Sequence, residues 1–157
     1  MGTRTVTKPI RHRYQLKQLF SVTNTYNIYE GFDQQTESNT YILSFHESFC
    51  EPKFVEACIQ KLTPWMYAVI PSVWQLVDYE FDGRSFYLIF KSDENEQCSL
   101  DEWLNAHPLN AHLSERLGLI DSLLKQCKRC HDHQLVFGNV GLNELFVTKN
   151  NQIVLGP

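Results

Sequence analysis

The hydrophobic period of this chain is mainly strand-like up to Phe90 and mainly helical from Ser99 to His131, and that shift limits what the chain can fold into. From Tyr14 to Phe90 the apolar residues fall in short strand-like runs: Tyr14 to Phe20, Tyr26 to Phe32, Tyr41 to His46, roughly Ser72 to Phe81, and Arg84 to Phe90. Asp82-Gly83, which tolerates positive φ, predicts a tight hairpin between the last two. One segment interrupts the strands. Over Pro52 to Leu62, residues Phe54, Val55, Cys58, Ile59 and Leu62 recur at helical spacing behind a proline suited to a first turn, and Thr63-Pro64 is expected to end that helix. After Ser99 the period is helical. Ser99-Leu100-Asp101-Glu102 is a capping-box pattern just before Trp103 and Leu104. From His112 to His131, Leu113, Leu117, Ile120, Leu124 and Cys127 recur at intervals of four and three, the stripe of a long helix packed on one face. Two short strands, Leu145 to Thr148 and Gln152 to Leu155, flank the Lys149-Asn150-Asn151 turn. Strands first and helices afterwards make this an α+β chain.

Charge and composition remove several function classes. Fourteen Lys plus Arg against 18 Asp plus Glu leave a net charge of −4, with no basic run able to neutralise a phosphate backbone, so nucleic acid is not an expected partner. No apolar stretch approaches the roughly 18 residues of a membrane span, and Met1 to Arg13 reads as a polar, basic tail without a signal-peptide core. A cytoplasmic protein is expected. Five cysteines, Cys50, Cys58, Cys98, Cys127 and Cys130, are an odd number in a chain long enough to build a core, which argues for free thiols over a disulfide framework. Cys127-x-x-Cys130-His131 spells the attachment sequence of c-type haem, but without an export signal and with Cys127 on the apolar stripe. The remaining histidines, His12, His46, His107, His112 and His133, are too scattered to make a metal set, and Trp65, Trp74 and Trp103 read as packing residues.

This element order, five strands with a helix between the third and fourth, then a short helix, a long helix and a small hairpin, resembles a protein kinase from its first strand to its metal-binding motif. The segment from His131 to Val147 carries the most specific likeness, resembling the run in which a long helix leads through a turn into the catalytic loop and a following strand. The resemblance implies a kinase-like first lobe over 14–91 and a partial second lobe over 92–157, held as one compact unit. It also implies where a kinase's chemistry should sit, and each position is changed. Ser21, Thr23 and Tyr26 fall at the three glycines of the phosphate-covering loop, and Ser44 falls at the phosphate-binding Lys. Glu56, with Glu51 as the alternative, falls at the helix glutamate that pairs with that Lys. Phe137, Gly138 and Asn139 stand for His, Arg and the catalytic Asp, and an amide cannot take up the substrate proton as a carboxylate does. Gly141 replaces the loop Lys, Glu144 the metal-binding Asn, and Pro157 the metal-binding Asp.

The expectation is a degenerate kinase-like (pseudokinase) module that binds protein instead of transferring phosphate, with no catalytic residue, cofactor or metal. Two other readings remain: a nucleotide-binding switch without transfer, and a thiol- or haem-dependent protein built on Cys127, Cys130 and His131. Leu119, Leu123 and Cys130 lie beside the main stripe of the long helix and are expected to be the face left for a homodimer, another protein or the rest of a longer signalling polypeptide.

Overall fold

The computed structural model describes residues 10, 12–92, 97–108, 113–135 and 144–156. They form two compact units, Met1–Tyr67 with Leu76–Lys91, and Ala68–Gln75 with Ser92–Pro157. The segment Ala68–Gln75, which its position in the sequence assigns to the first lobe, groups with the second unit instead.

The first unit is a five-stranded antiparallel sheet of β1 (Tyr14–Val22), β2 (Tyr26–Asp33), β3 (Ser38–Phe45), β4 (Gln75–Phe81) and β5 (Phe86–Lys91), in the order β1-β2-β3-β5-β4. Helix α1 (Pro52–Met66) follows a short 3-10 turn at Glu47–Phe49. Strand alternation divides the side chains between two faces. On one, Ile42 and Ile89 pack with Ile10, Tyr14 and Leu16, and Tyr29, Val77 and Tyr87 lean on this cluster. On the other lie Tyr41, Leu43 and Phe45. Phe45 stacks on Phe86 at 4.8 Å between ring centroids and meets Phe54 of α1 edge-on at 6.0 Å. Gly31 in β2 leaves no room for a side chain: a Cβ there would lie 2.5 Å from Ile42 Cδ1 and 2.9 Å from the Gln15 carbonyl.

Helix α1 does not stop at Thr63-Pro64. It runs on to Met66 with Pro64 inside it. Pro64 lacks the N–H that would reach the Gln60 carbonyl, but Gln60 is exposed and water can satisfy that carbonyl, so the helix continues past the proline. The hairpin at Asp82-Gly83 is also longer than two residues. Asp82 Oδ1 accepts from the Arg84 and Ser85 amides, and Gly83 takes φ of 91°.

The second unit holds a three-stranded sheet, β6 (Gln97–Ser99), β7 (Leu145–Thr148) and β8 (Ile153–Leu155), with α2 (Leu100–Ala106) and α3 (Leu113–Asp132). Strand β6 has no sequence signal of its own, being three residues directly before a cap. The capping box forms as the sequence predicts: Ser99 Oγ accepts from the Glu102 amide at 3.2 Å and Glu102 reaches back to the Ser99 amide. Trp74 stacks on Phe146 with centroids 4.6 Å apart, and its backbone N–H donates to the Leu155 carbonyl, fastening the Ala68–Gln75 segment to β8. Beyond α3, Gln134 adopts φ of 60° and the Leu135 amide donates to the Cys130 carbonyl, a left-handed helix cap.

Helix α3 is turned the other way from the expected one. Leu113, Leu117, Ile120 and Leu124 are 57, 58, 55 and 64% exposed, whereas Leu119, Gln126 and Cys130 are buried and Leu123 is half-buried. Leu119, Leu123 and Cys130 are therefore core, not an interaction face. They too recur at intervals of four and three once Gln126 is counted, and that one polar residue hides the buried stripe from a count of apolar positions.

Candidate functional site

The first unit contains the positions expected to face a nucleotide's phosphates. The β1–β2 connection is a tight turn fastened by Thr23: its hydroxyl donates to the Tyr26 carbonyl at 2.9 Å and accepts from the Thr25 and Tyr26 amides. The Thr23 amide also donates to the Tyr26 carbonyl at 2.9 Å. From β3 the His46 amide donates to the Thr25 carbonyl, and the His46 ring nitrogen Nε2 lies 3.1 Å from the Thr23 carbonyl. A turn whose backbone groups are satisfied internally has few amides left to offer a phosphate. Ser21 lies in β1 opposite Ile28, next to a register irregularity. Tyr26 places its ring 5.4 Å from Phe45.

Strand alternation fixes the face on which Ser44 lies. Its Cα partners are Asn27 and Tyr87, so it shares a face with Ile42 and Tyr87, away from α1. The β3 residue that meets α1 is Phe45, through Phe54. A cation in this part of the strand that was to pair with α1 would have to replace Phe45 or Leu43, both apolar. With Tyr26, Phe49, Phe54 and Phe86, Phe45 makes this face a cluster of rings. Glu56 and Glu51 are both exposed, and on α1 the buried residue is Val55.

In the second unit Glu144 is half-buried just before β7, and its carbonyl accepts from the Gly156 amide at 2.8 Å. Gly156 approaches so closely that a Cβ would collide with the Phe146 ring and lie 2.8 Å from the Glu144 carbonyl. Phe137, Gly138, Asn139, Gly141 and Pro157 lie outside the described residues. Cys127 and Cys130 are one helical turn apart in unbroken α3, Cys127 half-buried and Cys130 with no exposed surface. Burial pushes the Cys130 thiol up to about 11, which disfavours the thiolate that a nucleophile or metal ligand must be. Among the described residues no three His, Cys, Asp or Glu side chains converge as a metal site.

No family model and no curated protein matches the sequence. Among solved structures, PpkA-294 in its apo form, a serine/threonine kinase fragment, superposes with a TM-score of 0.76 at 11% identity, over 96% of this chain and 59% of that one. The fold is kinase-like. At 11% identity the likeness carries backbone, not chemistry. This chain spans 59% of that relative's length.

Proposed function

We propose that this chain is a non-catalytic, kinase-like binding module, a pseudokinase that acts through protein association. The observation that carries the reading is the exposed stripe Leu113, Leu117, Ile120 and Leu124 on α3. Its spacing of four, three and four residues is that of a helix–helix seam. A contiguous apolar strip on one helix is the kind of surface that marks an interaction site. The opposing case, phosphoryl transfer, lacks support in the first unit: rings stand where a phosphate-binding cation would meet α1, and Thr23 closes the turn above them.

The partner class is protein, and a second copy of the chain is the first to test. Along the exposed face the ion pairs Lys125–Asp121 and Lys128–Asp132, each 2.7 Å long, alternate in sign beside the stripe, an arrangement that an antiparallel second copy can match. Light scattering of the protein and of its Leu117→Glu, Leu124→Glu double variant tests the reading. The expected result is a concentration-dependent dimer that becomes a monomer of unchanged circular dichroism. A monomeric wild type, or an unfolded variant, removes the stripe as an association surface. Among the described residues no helix is long and apolar enough to cross a membrane.

A further inference from the structure

On a different side of the second unit, α3, the β7–β8 turn and Ser72 enclose a cavity of about 330 Å³, at the small end of the roughly 300–1,000 Å³ usual for small-ligand sites. Its α3 wall is made by Ser122, Gln126 and Arg129, spaced four and three apart and so on one side of the helix. Gln126 is only 5% exposed, a rare burial for a primary amide. Its Oε1 accepts from Arg129 Nη1 at 3.5 Å, and its Nε2 has no partner among the described residues. Gln126 lines the cavity, so this NH2 group is available to a ligand acceptor there. Ser122 Oγ already accepts from the Ile153 amide at 2.9 Å, so its O–H remains to donate.

The charges around the cavity decide what acceptor this donor set takes. Asp121 and Lys125 neutralise each other at 2.7 Å on the rim, and Glu115 is engaged within the protein. Arg129 has Gln126 as its side-chain partner and no carboxylate. One unmatched guanidinium beside one unmatched amide NH2 and one hydroxyl donor fits a planar, singly charged acceptor. A phosphate dianion would leave a charge uncompensated near Glu115 and Asp121. We infer that this cavity binds a small ligand through a single carboxylate, held by Arg129, the Gln126 carboxamide and the Ser122 hydroxyl.

The test is a nuclear magnetic resonance titration of the whole chain with N-acetylglycine, with its neutral amide N-acetylglycinamide, and with inorganic phosphate. N-acetylglycine should give saturable shifts at millimolar concentration in the Gln126 side-chain NH2 and in the Ser122 and Arg129 amides, and the neutral amide should give none. Arg129→Gln should weaken binding by about tenfold or more, because a charge-assisted forked contact is lost, and Arg129→Lys should fall between the two. Arg129 is exposed, so both variants keep the helix. Equal binding of the neutral amide, unchanged binding by Arg129→Gln, or no saturable shift at Gln126 overturns the inference. Tighter binding of phosphate than of N-acetylglycine overturns the choice of carboxylate.

Discussion

Asp33 has no exposed surface and yet holds a full charge. Arg13 grips it with two hydrogen bonds of 2.9 Å, Thr36 donates its hydroxyl at 2.7 Å, the Gln35 and Thr36 amides donate to Oδ1, and Lys91 stands 3.6 Å away. The Arg13 contact, the largest influence, with these other donors holds the carboxyl well below the usual carboxylate range despite burial. A depressed folded value means that the carboxylate favours the folded state above the ordinary Asp value of about 3.9, and that this contribution is lost as the pH falls below it toward the folded value. Asp33→Asn is expected to cost roughly 2–3 kcal/mol at neutral pH by leaving Arg13 and Lys91 without their carboxylate. Urea unfolding at pH 7 and near pH 3 checks it: the gap between wild type and variant should narrow on acidification. A gap that stays constant would mean the loss is packing, not charge. None of this network was legible from the sequence, because Arg13, Asp33 and Lys91 come together only when β1, β2, β3 and β5 assemble into one sheet.

At the scale of elements, what the sequence revealed depended on whether local chemistry or tertiary packing set the outcome. The α2 cap was legible because Ser99 and Glu102 satisfy each other's amides within one turn, and Ser99→Ala should cost about 1 kcal/mol in thermal unfolding of the second unit. The end of α1 was not, since Pro64 frees only the carbonyl of the exposed Gln60, which water can satisfy, and the propensity rule does not weigh that. Strand β6 owes its existence to pairing with β7, of which Gln97-Cys98-Ser99 gives no sign. On α3 two stripes of equal spacing compete, and only packing against the small sheet chooses between them. Leu119→Ala should therefore cost about 2–4 kcal/mol, a large-to-small change in a core, while Leu124→Ala at an exposed position should stay within about 0.5 kcal/mol. Chemical denaturation followed through Trp74 and Trp103 distinguishes the two. Equal costs would restore the face order expected from the sequence.

At the scale of the whole molecule, the order of strands and helices was enough to point to a kinase-like fold at 11% identity, because the backbone path follows from periodicity and turns. Function does not travel by that route, since it depends on a few side chains that the fold does not dictate. The groups a kinase uses to hold nucleotide are cations and open amides, and at the positions the sequence resemblance assigns to them the first unit has a closed turn and, beside Ser44, a ring cluster. Magnesium-ATP is therefore expected to leave the protein's thermal unfolding unchanged at millimolar concentration, whereas a ligand present at 100 times its dissociation constant would stabilise by about 2.7 kcal/mol. The same scan on Ser44→Lys sharpens the test. Ser44 lies on the face with Ile42 and Tyr87, so a lysine there points away from α1 and should not create a nucleotide response. A clear upward shift in the wild type would mean that phosphate is held by groups other than those a kinase uses. A shift that appears only in Ser44→Lys would mean that the β3 strand turns its other face to the ligand, and that the loss of one cation, not the ring cluster, is what separates this chain from nucleotide binding.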